Sequence, residues 1–376
     1  MPIETIHNPV RFVMLGGFLG AGKTTALLRL ARHYSARGLR VGVITNDQAE
    51  GLVDTQAFQS AGFPTEEIPS GCFCCHFEKL LEASGRLEGS IAPDILLAEP
   101  VGSCTDLVNA VIAPLKALYR DRFTVAPYAV LADPERVLES LSGTGPAGFS
   151  RKVTYLYTMQ QNEADIIALN KVDRLSAAEL ERVMALLRRN FPRASHLPVS
   201  ALTGAGFDAL IAAIDRDEEP GLHPANVDYA RYTEGEVALG WLNARVRFSS
   251  SDAWDGDAML EELGRRIHGG LLAVGAEVAH FKMRMKDRDG REAAVHSTNN
   301  REACEVRMRI GGPVTACDVV INVRAEAEPA SIGRAVLETL AALAVERGLA
   351  HEVVQCETFA PGAPVPPPAS RLTVRL

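Results

Sequence analysis

The sequence predicts an α/β chain in two parts, a mostly parallel sheet flanked by helices and then a smaller α+β domain. Three observations carry this reading. From Arg11 to Ile214, short β-branched runs alternate with amphipathic stretches, as βαβ units do. A glycine-rich turn joins the first apolar run to the first helical pattern. Around Gly221–Glu236, Pro, Gly, Asn, Asp and Tyr cluster without periodicity, the mark of a linker. With 376 residues the chain is long enough for two or three domains. The expected divisions are 1–222, a linker at 223–237, a second domain at 238–360 and a Pro-rich tail at 361–376.

The strands of the first part are read at Arg11–Leu15, Val41–Thr45, Asp94–Ala98, Thr124–Leu131, Asp165–Leu169 and His196–Val199. Their near-continuous apolar character suits strands covered on both faces. Thr24–Ser35 spaces Leu27, Leu30, Ala31 and Tyr34 as a helix does, and Ser176-Ala-Ala-Glu179 is a capping box opening a helix to Arg189. In the second part, strands are expected at Trp241–Phe248, Glu277–Met285, Ala303–Arg309 and Asp318–Val323. Helices are expected at Ala258–His268 and Ser331–Arg347, and Arg371–Leu376 is read as an edge strand or a loose tail.

Lys and Arg number 39 against 47 Asp and Glu, a net charge of −8 that disfavours nucleic acid and anionic lipid as partners. No apolar run reaches the roughly 20 residues a bilayer requires, and the opening residues lack a basic region followed by an apolar stretch. A cytoplasmic, membrane-free protein is expected.

Gly17-Phe-Leu-Gly20-Ala21-Gly22-Lys23-Thr24 matches G-x-x-x-x-G-K-S/T between a strand and a helix. Backbone N–H groups of such a loop wrap phosphates, with Thr25 continuing into the helix. Lys23 reaches the β/γ oxygens and the Thr24 hydroxyl binds Mg²⁺. Asn170-Lys171-Val-Asp173 follows the strand ending at Leu169. The Asp173 carboxylate can pair with the N1–H and N2–H₂ donors of guanine, which adenine lacks on that edge. Asn170 would tie the loop and touch N7, the Lys171 stem would cover the ring, and the Ala201 amide beside Ser200 would meet O6. GTP and GDP are therefore the expected ligands. Glu99, ending a strand, can hold the Mg²⁺ water shell, and the Gly102 amide can bond the γ-phosphate. Asp47, Glu50 and Asp54 lie where a first switch belongs.

Of seven cysteines, Cys72, Cys74 and Cys75 fall within four residues. In an extended segment Cys72 and Cys74 share a face, and a turn can bring Cys75 round to complete a thiolate trio for Zn²⁺ or Co²⁺. His76, Glu50, a water or a client's side chain could fill a fourth position. A buried apolar corner and a thiol redox site are the alternatives. Cys104 is read as an extra thiol ligand or as packing.

In order and spacing, Gly17–Thr25, Gly71-Cys-Phe-Cys-Cys75, Glu99-x-x-Gly102 and Asn170-Lys-Val-Asp173 resemble the CobW-like metallochaperone GTPases over about residues 11–220. The resemblance implies a parallel-sheet GTPase domain that binds metal through the cysteine motif and delivers it to a client protein under nucleotide control. It also implies an α+β client-binding module, and dimerisation across the nucleotide face is common in that class. The chain departs from the family pattern at Asn46-Asp-Gln-Ala-Glu50 and at Pro100-Val101, and its nine histidines are dispersed rather than gathered in a tract. The reading that follows is a GTPase loading Zn²⁺ or Co²⁺ at the three cysteines. Its rivals are a regulatory GTPase for a corrinoid or metal enzyme with structural cysteines, a small-molecule kinase and a non-enzymatic zinc adaptor.

Overall fold

The computed structural model describes residues 9–46, 53–68, 72, 73, 75–141, 148–216, 223–302 and 304–368. The first part runs β1 (Val10–Gly17), α1 (Lys23–Ala36), β2 (Val41–Asn46), α2 (Val53–Ser60), β3 (Thr65–Ile68), α3 (Phe77–Ile91) and β4 (Ile95–Glu99). A single π-helical turn leads into α4 (Ala113–Leu118), followed by β5 (Phe123–Val125), β6 (Ala129–Ala132), α5 (Pro134–Leu141) and α6 (Arg151–Asn162). Then come β7 (Ile166–Leu169), α7 (Ala177–Asn190), β8 (Ser195–Pro198) and α8 (Phe207–Ile214). The strands order as β3-β2-β4-β1-β6-β7-β8, with β5 beside the start of β1, and every pairing among them is parallel. The expected α/β sheet is present, with apolar cores on both faces. The capping box is formed as expected: Ser176 accepts from the Glu179 N–H while the Glu179 carboxylate accepts from the Ser176 N–H.

Two local expectations change. Thr124–Leu131 is not one strand: β5 pairs with Val10–Phe12 and β6 with Leu15–Gly17. Pro127 lies between them and has no N–H to give a ladder. The segment 223–237, read as a linker, holds helix α9 (Tyr229–Ala238). Asp228 caps its start by accepting from the Ala230 and Arg231 amides, and Tyr232 and Glu236 are buried against the first domain.

The second part runs β9 (Leu239–Asp255), α10 (Gly256–Ala273), β10 (Glu277–Asp287), β11 (Glu292–Ser297), β12 (Glu305–Met308), β13 (Pro313–Glu326), α11 (Pro329–Arg347) and β14 (Ala350–Phe359). Its antiparallel sheet orders as β12-β11-β10-β13-β9-β14, and α10 and α11 cover one face through a core including Leu263, Phe281, Ile321 and Val336. This is the expected α+β layer, with β11 and β14 added. β14 is mostly exposed, so its sequence carries no apolar alternation to announce it. Arg371–Leu376 lies outside the described residues.

One buried side chain pins the two parts together. Arg136 on α5 donates to the Val278 carbonyl at 2.8 Å, the Thr298 carbonyl at 3.0 Å and the Glu277 carboxylate at 3.1 Å. Glu139 also pairs with it at 2.7 Å, and its guanidinium lies 4.3 Å from the Phe149 ring centroid.

Candidate functional site

In a parallel sheet all strands end on one edge, and the predicted site residues gather at that edge. Gly20, Gly22, Lys23, Thr24 and Thr25 line a cavity of about 300 Å³ together with Asn46, Glu99, Gly102, Asn170, Lys171, Asp173 and Ala201. Gly17 ends β1 and Ala21 lies buried in the loop behind this lining. Lys23 is buried and donates from Nζ to the Gly17 carbonyl at 2.9 Å and the Phe18 carbonyl at 3.5 Å, so it bridges the mouth of its own loop. The Thr24 hydroxyl donates to Glu99 Oε1 at 3.0 Å, which places two hard oxygen donors side by side across the loop. At Gly102 a Cβ would stand 2.9 Å from Lys23 Nζ and 3.0 Å from the Leu19 amide nitrogen, so only glycine lets this backbone approach the loop.

The loop expected to read the base is tied to its neighbours through Asn170. Buried Asn170 donates to the Ala21 carbonyl at 2.8 Å and accepts from the Ala201 amide at 2.8 Å, joining the phosphate loop to the Ser200–Ala201 turn. The Ala201 N–H, expected to face a base oxygen, is thus held by Asn170 in this structure. Ser200 is buried and its hydroxyl accepts from the Thr203 N–H. Asp173 is exposed at the cavity rim. Lys171 pairs with Asp133 at 2.5 Å and donates to the Thr298 hydroxyl at 3.2 Å. Burial pushes the Asp133 carboxyl up, but the Lys171 charge and hydrogen bond outweigh it and hold the group below its usual range. Asp133 went unnoticed in the sequence, although its place just after β6 was available as a signal.

The loop after Glu99 is held from behind. Gln160 donates to the carbonyls of Gly102 at 2.9 Å and Cys104 at 2.8 Å, the Ser103 hydroxyl donates to Glu236 at 3.0 Å, and the Thr105 amide donates to the Tyr232 hydroxyl at 3.1 Å. Helix α9 therefore braces the segment expected to meet the γ-phosphate. Cys104 is buried within the apolar core, in keeping with packing.

At the cysteine motif, the Cys75 and His76 amides both donate to the Cys72 carbonyl, a tight turn that places Cys72 Sγ and Cys75 Sγ 2.9 Å apart. His76 sits at the start of α3, half-buried. Cys74, Asp47 and Glu50 lie outside the described residues, and among the described residues no three metal-ligating side chains converge. Asn46 connects this motif to the cavity: it accepts from the Phe73 amide at 2.9 Å and donates to the Ile68 carbonyl at 3.0 Å. Nothing in the spacing of the sequence announces this bridge, which joins residues 22 and 27 positions apart.

Fold and site together define a phosphate-loop nucleotide-binding domain, with the Asn170-Lys171-Val-Asp173 segment beside the loop. Residues 11–198 match the family model "CobW/HypB/UreG, nucleotide-binding domain", and the chain belongs to that family. It is 29% identical over 247 residues to the zinc chaperone CobW of Pseudomonas aeruginosa, covering 56% of this chain and 63% of that protein. It is 29% identical over 164 residues to the zinc chaperone YeiR of Escherichia coli, covering 43% of this chain and 46% of that protein. The chain thus aligns with less than two thirds of the length of these curated relatives. A solved structure of zinc(II)-bound YjiA GTPase from Escherichia coli aligns at 16% identity and TM-score 0.38, covering 88% of this chain and 99% of that one. Among the described residues no helix is long and apolar enough to cross a membrane.

Proposed function

We propose that the protein hydrolyses GTP and uses the nucleotide state to load and release a transferable metal ion, Zn²⁺ or Co²⁺, at Cys72, Cys74 and Cys75 for a metal-requiring client protein. The observation that carries the reading is Asn46. It lines the nucleotide cavity and at the same time holds the Phe73 amide between Cys72 and Cys74. A shift of the strand end on nucleotide exchange would therefore pull directly on the thiol turn. The names of the relatives, zinc chaperones, support the cargo.

For the chemistry, Lys23 would exchange its bonds to the Gly17 and Phe18 carbonyls for the β- and γ-phosphate oxygens. The loop amides would cradle the phosphates, and the Gly102 amide would bond the γ-phosphate as water attacks in line. The adjacent Thr24 hydroxyl and Glu99 carboxylate fit Mg²⁺, which when bound would neutralise charge on the phosphate oxygens. Asp173 would select guanine. Cys72 and Cys75 supply two soft donors, and Cys74 a third, for a metal with an open position.

The test is the GTP hydrolysis rate of the metal-free protein with and without one equivalent of Zn²⁺ or Co²⁺, beside a Cys72→Ser/Cys74→Ser/Cys75→Ser variant. A metal response that the variant abolishes is the expected result. A rate indifferent to metal would instead make this a regulatory GTPase for a corrinoid or metal enzyme, with structural cysteines.

A further inference from the structure

The nucleotide cavity has a second wall, which belongs to the antiparallel sheet. His280 on β10, His296 on β11 and Thr298 just after β11 line it together with Thr24, Lys171 and Asp173 of the first domain. The sheet touches the phosphate loop itself, since a Cβ at Gly20 would stand 2.7 Å from the Ala279 carbonyl oxygen and 3.0 Å from Thr298 Cβ. Beside the Asn170–Asp173 segment both walls hold the same ammonium, that of Lys171.

Lys171 stands on an uncommon backbone. Its φ is 61° and its ψ 28°, the left-handed region that side chains rarely adopt and that persists where the surroundings over-determine it. Its neighbours fix it on either side: the Asn170 amide donates to the Ala132 carbonyl at 2.8 Å and the Val172 amide to the Val199 carbonyl at 3.3 Å. From there the side chain lines the cavity, while Nζ runs to Asp133 Oδ2 at 2.5 Å and donates to the Thr298 hydroxyl at 3.2 Å. Asp133 is buried behind this lining. It follows β6, whose Ala132 pairs with Leu169 on β7, so it arrives at the same sheet edge as Asn170, one strand away. Its two oxygens have separate tasks: Oδ1 accepts from the Glu135 amide at 2.9 Å and caps α5, which leaves Oδ2 to the lysine. On that helix Arg136 donates to the Thr298 carbonyl at 3.0 Å. The contacts therefore close a ring, from Asp133 through Lys171 to Thr298 and back through Arg136 along α5. Ordering a free lysine stem costs conformational entropy, whereas a stem fixed at both ends has lost that freedom before a ligand arrives. Such a stem offers a flat base an apolar surface already in place.

We propose that Asp133 is a positioning residue for base binding, anchoring the Lys171 ammonium so that the lysine stem forms a fixed platform for the base of the nucleotide. The proposal rests on reading this cavity as the nucleotide site. The experiment titrates ribose-labelled fluorescent GDP and ADP into the full chain, as wild type, Asp133→Asn, Lys171→Met and the double variant. Asp133→Asn keeps an oxygen to cap α5 and removes the charge that holds the ammonium, so GDP should bind about 5- to 20-fold more weakly. With Lys171→Met already in place the same change should cost nothing, because no ammonium is left to hold. Losses that add in the double variant would overturn the proposal, since a purely structural Asp133 weakens binding whatever stands at position 171. Equal affinity of wild type and Asp133→Asn would overturn it too. Thr298→Val keeps the question open to test if Asp133→Asn does not fold, because it takes the second acceptor from the same ammonium and leaves the buried carboxylate alone. About 2- to 3-fold weaker GDP binding is expected of it, and no further loss beside Lys171→Met; the same loss in both backgrounds counts against the platform. The ADP titration separates the two readings. Wild type that binds GDP and ADP alike defeats guanine selection, while an Asp133 effect on both that vanishes beside Lys171→Met still supports the platform. Wild type that binds neither nucleotide sinks both.

Discussion

The two sheets present chemistry in opposite ways. In the parallel sheet every strand points the same way, so Gly17, Asn46, Glu99 and Asn170 all arrive at one edge from the ends of β1, β2, β4 and β7. In the antiparallel sheet successive strand ends lie on opposite sides and no edge collects. Its polar groups come instead from alternate positions across a face, as His280, Lys282, His296 and Arg324 do. The first arrangement writes itself into the sequence as short contiguous motifs. The second scatters its members along the chain, each separated by residues that belong to a different core.

The most damaging way to break this pairing is at the pin between the sheets. Arg136 is 4% exposed and compensates Glu139 and Glu277 while holding two carbonyls of the second sheet. Arg136→Met keeps much of the apolar stem but leaves Glu139 to Arg301 and Glu277 to Asn300, and takes the donors from two carbonyls of the second sheet; it is expected to lower unfolding free energy by about 3 kcal/mol in denaturant titration. Loss of the opposing wall should weaken nucleotide binding in the same variant. Unchanged stability would show that the sheets are held by their other contacts, such as Arg174 with Glu302 and Glu305.

A smaller effect is expected within the parallel edge alone. Asn170→Ala removes two hydrogen bonds of 2.8 Å and leaves the Ala201 amide without its acceptor, a cost of about 1–3 kcal/mol. Because the lost bonds join the phosphate loop to the base-reading turn, affinity for GTP should fall more than stability does. Isothermal titration beside thermal unfolding separates the two, and an affinity equal to wild type would remove Asn170 from the site.

How much of this was legible follows from the same contrast. Gly17–Thr24, Asn170–Asp173 and Glu99–Gly102 could be read because loop function fixes residue type at fixed spacing, and the structure brings them to one cavity. Cys75 could be placed near Cys72 by turn logic, and it lies there. The second wall was not read, although β10 shows His280, Lys282, Arg284 and Lys286 at every second position. Alternation says that a face is polar and is silent about what that face meets. Helix α9 was missed because its stabilising contacts are tertiary: Tyr232 and Glu236 reach back over a hundred residues to Thr105 and Ser103. Arg136 likewise reaches Glu277, Val278 and Thr298 more than a hundred residues away, and that role exists only once the second sheet is in place.

The least expected perturbation is a titration behind the parallel edge. Glu163 ends α6, fully buried, and accepts from the Asp106 amide at 2.5 Å, the Leu107 amide at 2.9 Å and the Thr105 hydroxyl at 3.3 Å. Burial, and next the charge of Asp106, push its carboxyl up to about 8 despite the amide bonds. In the unfolded chain the same group titrates near about 4.3. The folded state therefore binds the extra proton more tightly between these values, and the associated stability is full below the unfolded value and lost as pH rises through 8. The loss amounts to about 1.4 kcal/mol per pH unit at most for one such group. Glu236, also pushed up to about 8 by burial, adds to the wild-type slope in the same sense. Glu163→Gln removes one share of the slope and sets an amide donor against a backbone donor, so the variant is less stable at pH 5 and approaches wild type by pH 8. Thermal unfolding across that range measures it. Parallel curves would show that Glu163 stays ionised in the fold, its amide donors outweighing burial.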